Sequence, residues 1–275
     1  MVQITNFHEA CVLLHLMPKR DKIYFASDFH LGVANYDLSR QREATIVRWL
    51  DSIKDDAAEL FLVGDVFDFW FEYKRAVPRG FIRFLGKLAE LSDLGVKITM
   101  FKGNHDMWMF GYLTREFNAE IISDQLAIER QGRKLYLHHG DGLGPGDSKY
   151  KVLKKFFRSR FCQWLFARLH PNLGIGIALA WSHRSRLSQH KIERFMGEQQ
   201  EWLATYSKEI LQKEHYDYFI FGHRHLPMEI TLNKTSRYIN LGEWLNFNSY
   251  AVMQDGEVYL KYFEKEDNDI PTATA

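Results

Sequence analysis

The chain has 275 residues, of which 46% are hydrophobic, and it carries 36 lysine and arginine residues against 35 aspartate and glutamate residues. This length and apolar content allow a substantial buried core and exclude a disordered or fibrous protein. The balanced charge gives no indication of a nucleic-acid or acidic partner, and the two cysteines exclude a disulfide framework.

The first 20 residues predict a loose leader that ends in a Pro-Lys-Arg sequence. The apolar run at residues 12–14 is interrupted by His15, so we predict no secretory signal. No uninterrupted apolar stretch reaches the ~18 residues that a spanning helix needs. The sparse cysteines predict a reducing compartment.

Strands and helices alternate through the first half of the chain. Apolar runs predict strands at 23–26, 60–63 and 97–101, and apolar residues at helical spacing predict helices at 38–54 and 79–94. Polar residues begin where each of these strands ends. Because α/β sheets place their sites at the carboxyl ends of strands, we expect those polar side chains to lie close together.

Five short motifs supply these polar residues. They are Asp28-Phe29-His30, Gly64-Asp65-Val66-Phe67-Asp68, Gly103-Asn104-His105-Asp106, His139-Gly140-Asp141 and Gly222-His223-Arg224-His225. An Asp-x-His or His-x-His sequence in an extended segment turns both side chains to one side, because strand side chains alternate. The carboxylate, amide and imidazole donors exceed what one ion can bind, so the sequence predicts a two-metal hydrolytic site in which Asp65 bridges both ions. Mixed donors with few thiolates favour Mn²⁺, Fe²⁺ or Zn²⁺ over Ca²⁺, and we predict Mn²⁺.

Other residues of the motifs are predicted to act beside the metal ligands. His105 is next to Asn104, and adjacent side chains in an extended loop diverge, so we expect His105 to donate to a phosphoryl oxygen or leaving group. Asp106 could fix the tautomer of His105, and Asp141 could orient His139. The alternative for His105 is that it packs beneath the site.

The second half of the chain has a different pattern. Strands at 126–129 and 134–137 flank a Gln-Gly-Arg turn and predict a hairpin. Residues 148–213 are predicted to be mainly helical, with breaks near Pro171 and Gly174. The remaining strands are predicted to be largely antiparallel because their connections are short, and they lie at 217–221, 236–241, 249–253 and 257–263.

This order of elements predicts an α/β fold of four layers, αββα, with two mixed sheets packed face to face between outer helices. Residues 22–147 and 214–263 would form the core, and residues 148–213 a helical insertion. The insertion is strongly basic, since residues 148–192 contain ten lysines and arginines and no aspartate or glutamate. Such a block is a local electrostatic feature.

Bulky apolar residues alternate with cations in the insertion. The apolar residues are Phe156, Phe157, Phe161, Trp164, Leu165, Phe166 and Leu169, and the cations are Lys154, Lys155, Arg158, Arg160 and Arg168. Such a surface can lie on an anionic leaflet and admit acyl chains. The alternative is a cap whose aromatic residues pack on the core. Single-stranded nucleic acid would also suit the pattern, but the chain has no net basic excess, so no nucleic-acid partner is predicted.

The five motifs together resemble the complete motif set of the calcineurin-like metallophosphoesterases, over about residues 22–262. The resemblance implies a metallophosphoesterase sandwich and two divalent ions that share a bridging water. It implies one ion held by Asp28, His30, Asp65 and His225, and another held by Asp65, Asn104, His139 and His223.

A finer pattern is similar to the bacterial UDP-2,3-diacylglucosamine pyrophosphohydrolases of lipid A synthesis. It consists of the sequence at 64–70, of His139-Gly140-Asp141 followed by Asp147-x-x-Tyr150, and of an insertion that resembles that family's lipid-binding cap. The resemblance implies that a lipid-linked nucleotide sugar is hydrolysed at its pyrophosphate to UMP and the acylated sugar 1-phosphate. The enzyme would be cytoplasmic and peripheral to the anionic inner-membrane surface, and no protein partner is implied.

Two positions depart from the best-known members of that family, which carry Arg where this chain has His105 and Thr where it has Arg224. The departures leave open which group contacts the phosphate. Substrate contacts are predicted from position at Asp147, Lys151, Phe157, Trp164, Ser182 and Arg186. The alternative for the polar ones is surface salt bridging or simple solvation.

Two other functions are compatible with the motifs. The same chemistry could act on another phosphoester, such as a nucleotide, a phosphoprotein or nucleic acid. The fold could also serve as a non-catalytic scaffold, as in retromer-type subunits. The presence of every ligand candidate disfavours the scaffold.

Overall fold

The computed structural model describes residues 20–32, 35–144, 148–189, 195 and 197–265, with the side chains of 148, 149, 183, 185–189 and 199 left out. The predicted leader up to residue 19 and Asp147 lie outside these residues. Within the described ranges, no helix is both long enough and apolar enough to cross a bilayer.

The described residues form eleven strands and seven α-helices. The strands are β1 (Lys22–Ala26), β2 (Ala57–Leu62), β3 (Lys97–Phe101), β4 (Glu120–Ile122), β5 (Leu126–Arg130), β6 (Arg133–His138), β7 (Tyr218–Phe221), β8 (Met228–Asn233), β9 (Ser236–Asn240), β10 (Ser249–Gln254) and β11 (Glu257–Tyr262). The helices are α1 (Tyr36–Ile53), α2 (Ile82–Asp93), α3 (Tyr112–Phe117), α4 (Ser148–Phe157), α5 (Arg160–Phe166), α6 (Pro171–Gln189) and α7 (Trp202–Leu211).

The strands form two mixed sheets. The first has the order β11-β10-β1-β2-β3-β4, and β1 to β4 run parallel to one another. The second has the order β5-β6-β7-β9-β8, and β6, β7 and β9 run parallel. The edges are β11 and β4 in the first sheet and β5 and β8 in the second, so the strands whose carboxyl ends carry the motifs, β1, β2, β3, β6 and β7, lie inside.

The two sheets pack face to face through a buried apolar layer. Phe25 of β1 stacks on Phe61 of β2 with ring centroids 5.2 Å apart, and both belong to one cluster with Leu137 and Ile220 of the second sheet. The neighbour of Phe25, Tyr24, belongs to the cluster beneath the outer helices. Each side of β1 is therefore covered, which explains why its sequence is an unbroken apolar run.

Helices cover the outer face of each sheet. Ile46, Trp49 and Ile53 of α1 recur at helical spacing and are buried against the first sheet. Leu203 and Ala204 of α7 are buried in a cluster with residues of the second sheet. The predicted αββα sandwich is confirmed. We assign α7 to the core and propose that α4, α5 and α6 form the cap, a shorter insertion than the one predicted.

The strand arrangement near the end of the chain differs from the prediction. The antiparallel pair β10–β11 agrees with it, but β7 runs parallel to both β6 and β9. The prediction of largely antiparallel strands was wrong for β7 because β8 was not recognised. With β8 between them, the chain returns from β7 and enters β9 in the same direction.

Of the two predicted helix breaks, the one near Pro171 is correct and the one near Gly174 is wrong. The chain leaves α5 at Phe166 and begins α6 at Pro171, where a missing N–H costs nothing because the first helical turn has no partner for it. Gly174 lies within α6. A Cβ at Gly174 would lie 2.6 Å from the Tyr73 hydroxyl, so the glycine allows α6 to approach the core rather than ending the helix.

Candidate metal centre

The predicted metal ligands follow parallel strands of both sheets. Asp28 and His30 follow β1, Asp65 follows β2 and Asn104 follows β3 in the first sheet. In the second sheet His139 follows β6, while His223 and His225 follow β7. Because the sheets face each other, the two groups of loops meet at one edge of the sandwich.

One cluster contains Asp28, His30 and His225, with ligand atoms within 4.8 Å of one another. Asp28 Oδ1 lies 3.6 Å from His30 Nε2 and 3.3 Å from His225 Nε2. The two imidazole Nε2 atoms are 3.2 Å apart. Asp28 and His30 are fully buried, whereas the His225 side chain is 34% exposed.

A second cluster contains Asp65, His139 and His223. His139 Nε2 lies 3.4 Å from Asp65 Oδ2 and 3.2 Å from Asn104 Oδ1. Asp65 Oδ2 is also 4.0 Å from His30 Nε2 of the first cluster. Asp65 therefore lies between the two clusters, in the position predicted for a bridging carboxylate.

The backbone of the ligand loops is not extended. Asp28, His30, Asp65 and His223 have φ of 55°, 45°, 50° and 66°. The left-handed region is rarely occupied by residues other than glycine, and such conformations concentrate at functional sites. The convergence of the Asp-x-His and His-x-His pairs was predicted from strand alternation, and that reason was wrong, because tight turns bring these side chains together.

Two glycines leave room for the ligands. A Cβ at Gly103 would overlap Asp65 Oδ1, and a Cβ at Gly222 would lie 2.7 Å from Asp28 Oδ2 and overlap the Ser27 hydroxyl. Even alanine at either position would therefore displace a ligand carboxylate. The glycines of these motifs serve close packing around the carboxylates.

The residues present fit two divalent cations. Buried Asp28 Oδ1 accepts no hydrogen bond from any described residue, although two imidazole nitrogens lie close to it. Burial alone would lower the pKa of His139, but the Asp65 charge outweighs it and raises that pKa to about 10. Burial also opposes protonation of His30, yet Asp28 and Asp68 raise its pKa to about 9. The carboxylates thus create a strong local demand for positive charge, which metal ions would satisfy.

The surroundings of His105 differ from the prediction. His105 Nδ1 lies 3.0 Å from the Ser182 hydroxyl and 3.2 Å from the Asp68 carbonyl oxygen, and 3.8 Å from Asp68 Oδ1. Nε2 lies 4.0 Å from Asp65 Oδ2. The predicted role of Asp106 is corrected: it is fully buried and accepts hydrogen bonds from three backbone amides, those of Val66, Phe67 and Gly103. Asp106 thus ties the β2 and β3 loops together, and Asp68 faces His105 instead.

The orientation of His139 also has a different cause. Its Nδ1 lies 2.8 Å from the Val63 carbonyl oxygen, which can only accept, so Nδ1 carries the proton and Nε2 faces the site. Asp141, predicted to orient His139, instead accepts a hydrogen bond from Tyr150 at 2.6 Å and pairs with Lys154 at 2.7 Å. Asp141 therefore attaches α4 to the end of β6.

The predicted substrate contacts are distributed over the cap. Trp164 is 53% exposed on α5. Phe157 packs edge to face on Trp108 at 5.8 Å, and its carbonyl accepts the Trp108 indole N–H, so the structure gives it a packing role. Lys151 lies on α4 beside a groove with Lys154. Ser182 contacts His105, and the remaining two candidates, Asp147 and the Arg186 side chain, lie outside the described residues.

Several supporting residues had no recognisable signal in the sequence. Buried Asn240 of β9 donates a hydrogen bond to the Gly222 carbonyl at 2.7 Å. Arg224 pairs with Glu201 at 2.8 Å, and Glu201 is almost fully buried just before α7. Asn240 and Glu201 both lie outside the Gly222-His223-Arg224-His225 motif that they support. Asp68 belongs to a recognised motif, and its contact with His30 Nδ1 at 3.4 Å shows that it also faces a metal ligand.

The sequence of this chain is similar to those of known phosphoesterases. The family model for calcineurin-like phosphoesterases matches residues 21–227. A Porphyromonas gingivalis protein named UDP-2,3-diacylglucosamine hydrolase is 38% identical over 258 residues, which cover 89% of this chain and 98% of that protein. An Aeromonas salmonicida protein of the same name is 27% identical, covering 86% of this chain and 91% of its own length. A solved phosphoesterase from E. coli aligns at 15% identity with a TM-score of 0.41, over 88% of this chain and all of that one.

Proposed function

This chain belongs to the calcineurin-like phosphoesterase family, and we propose that it hydrolyses the pyrophosphate of UDP-2,3-diacylglucosamine to UMP and 2,3-diacylglucosamine 1-phosphate. The observation that carries this proposal is the 38% identical relative aligned over almost its whole length, combined with a ligand set in which none of the expected donors is missing.

We propose that two divalent ions, most simply Mn²⁺, bind at the two clusters joined by Asp65. When bound, such ions activate water and neutralise charge that develops on the phosphoryl oxygens. The chain itself supplies the geometry: the turns at Gly103 and Gly222 leave room for Asp65 and Asp28, which lie among the imidazole donors. His105, whose Nε2 lies 4.0 Å from Asp65 Oδ2, would donate to a phosphoryl oxygen or to the leaving group.

The exposed surface of the cap supports a lipid substrate. Large apolar side chains on α4, α5 and α6 are between 45% and 66% exposed: Phe156, Phe161, Trp164, Leu165, Leu173, Ile177 and Trp181. Soluble proteins rarely expose so many large apolar side chains on three short helices unless that surface binds an apolar ligand or a membrane. Cations border it, and Arg168 lies over the Trp164 ring at 5.0 Å. We propose that this surface receives acyl chains at the anionic inner-membrane surface.

The test is turnover by purified protein stripped of metal with chelator and reloaded with Mn²⁺. Detergent-solubilised UDP-2,3-diacylglucosamine should yield UMP and the acylated sugar 1-phosphate, both visible by ³¹P NMR, and the stripped protein should be inactive. A parallel panel contains a soluble phosphodiester, a nucleotide and a phosphopeptide. Strong turnover of one of these with none of the lipid would overturn the proposed substrate but not the metal-dependent chemistry.

A further inference from the structure

Ser182 is the last buried residue among the described side chains of α6. Ile175, Ala178 and Leu179 pack on the apolar cluster beneath the cap, and Ser182 follows Ala178 and Leu179 by four and three residues, on the same side of the helix. Ser182 is only 5% exposed, whereas its neighbour Trp181 is 62% exposed. A hydroxyl is therefore buried where the described part of α6 reaches the metal centre.

The Ser182 hydroxyl contacts the imidazole of His105. Ser182 Oγ and the Asp68 carbonyl oxygen lie 3.0 Å and 3.2 Å from His105 Nδ1. Because a carbonyl oxygen only accepts, a proton on Nδ1 lies between two oxygens, and the plane of the ring is fixed. The opposite nitrogen, Nε2, then faces Asp65 at the bridge between the two metal clusters.

The contact also joins the cap to the ligand loops. Phe69 and Phe71 of the β2 loop, and Met107 and Trp108 of the β3 loop, form the apolar cluster on which α6 lies. The same two loops carry the bridging carboxylate and His105, so the surface that seats the cap is continuous with the metal centre. A displacement of α6 from this apolar cluster would move the Ser182 hydroxyl away from His105.

We propose that Ser182 is a positioning residue, which holds His105 in its working orientation only while α6 is seated on the core. The proposal rests on the proposed function and deepens it, because it makes His105 dependent on the element that carries the apolar surface. It replaces the direct substrate contact that the sequence predicted for Ser182.

The experiment is a double-mutant cycle of Ser182→Ala and His105→Ala, with kcat and KM measured on UDP-2,3-diacylglucosamine and on bis(p-nitrophenyl) phosphate. Loss of one hydrogen bond to His105 should lower kcat about tenfold on both substrates and leave KM within about twofold. In the His105→Ala background the Ser182 substitution should change kcat by less than about twofold, because the residue it positions is absent. Equal factors in both backgrounds, or an increase in KM alone, would mean that Ser182 contacts the substrate and would overturn the proposal.

Isosteric variants separate the hydroxyl from packing. Ser182→Thr keeps the hydroxyl and should retain most of the activity, whereas Ser182→Val has the same shape without it and should behave like Ser182→Ala. Equal activities of the Thr and Val variants would overturn the proposal. Ala180→Ser, on the exposed side of α6, is the matched control and should change nothing.

An NMR measurement, which needs no turnover, makes this test independent of the proposed substrate. In protein labelled with ¹⁵N-histidine and loaded with Zn²⁺, the ring nitrogens of His105 are assigned by their loss in His105→Ala. These resonances should shift in Ser182→Ala and Ser182→Val and stay in place in Ala180→Ser. Unchanged resonances would overturn the positioning role, whereas failure to hydrolyse the lipid would overturn only the substrate.

Discussion

Asp65 is the residue whose loss should affect both metal ions. Its Oδ2 faces His30 on one side and His139 on the other, and the carboxylate is buried. We expect Asp65→Asn to lower the metal content from about two ions per chain and to reduce turnover by at least about a thousandfold, since each ion supplies several kcal/mol of stabilisation. Metal analysis and kcat on the same samples test this. The control is Asp51→Asn on the surface of α1, whose ion pairs with Lys54 and Lys87 should contribute little. Normal activity of Asp65→Asn would show that Asp65 is not the bridge.

Gly222 should be intolerant of the smallest side chain. A Cβ at this position overlaps the Ser27 hydroxyl and crowds the carboxylate of Asp28. We expect Gly222→Ala to weaken metal binding and to lower the melting temperature. Gly86→Ala is the matched control, because a Cβ there meets nothing within 4 Å and α2 should gain about 0.5–1 kcal/mol in stability. Equal metal binding by the two variants would contradict the steric argument.

At the residue scale, the metal ligands could be predicted from the sequence, but the groups that orient those ligands could not. The types and spacing of Asp28, Asp65 and His139 indicate metal ligands, because few other arrangements place so many hard donors after strands. The partners of those ligands come from backbone carbonyls and remote side chains, as with Val63 for His139. Such contacts depend on tertiary structure, so no local pattern encodes them. The same reason explains the error over Asp106, whose sequence neighbour is not its partner.

At the element scale, the cap presents an exposed apolar surface that should matter only for a lipid substrate. Phe161 and Trp164 of α5 stack with centroids 6.3 Å apart, and both are more than half exposed. We expect the double substitution Phe161→Ser and Trp164→Ser to reduce turnover of the diacyl substrate about tenfold or more, because burial of a large apolar side chain contributes about 1.5–3 kcal/mol. Turnover of bis(p-nitrophenyl) phosphate should be unchanged.

The matched control for the cap is Ile82→Ser, which removes an apolar side chain that is 78% exposed on α2, outside the cap. It should affect neither substrate. Equal losses on the lipid and on the small ester in the cap variant would indicate damage to the metal centre and contradict a lipid role. Phe157 is unsuitable for this purpose, because it packs on Trp108 and its loss should unseat the cap.

Elements with strong periodicity were predicted well, and those defined by pairing were not. The spacing of Ile46, Leu50 and Ile53 predicted α1, and the apolar run before Asp28 predicted β1. In contrast, β4 has only three residues, and β8 alternates polar and apolar residues over a short span next to the metal motif. Strand direction follows from the full order of strands in a sheet, so missing β8 made the direction of β7 wrong.

At the scale of the whole molecule, the metal centre lies where two sheets meet. Asp28 and Asp65 come from the first sheet, and His139, His223 and His225 come from the second. Ions bound between them would connect the sheets at one edge. Metal should therefore stabilise the folded chain by about 2.7 kcal/mol at a free concentration of 100 times the dissociation constant. Calorimetry with increasing Mn²⁺ should show a melting temperature that rises with metal concentration, and an unchanged value would contradict binding at this junction.

The same junction should make the metal-free protein sensitive to alkaline pH. Asp65 raises the pKa of His139 to about 10 against the burial that opposes it, and Asp28 and Asp68 raise the pKa of His30 to about 9. A histidine whose folded pKa exceeds its unfolded value of about 6.5 contributes stability that is complete below that value and is lost as the pH rises towards the folded pKa. Between pH 7 and pH 9, the melting temperature of chelator-treated protein should therefore fall.

Metal ions would replace these protons as the neutralising charge, so the Mn²⁺-loaded protein should lose less stability over the same range. The difference between the two melting temperatures should therefore widen. If the melting temperatures of the two forms change equally between pH 7 and pH 9, the carboxylates do not need the histidine protons to neutralise their charge. That result would contradict this account of the junction.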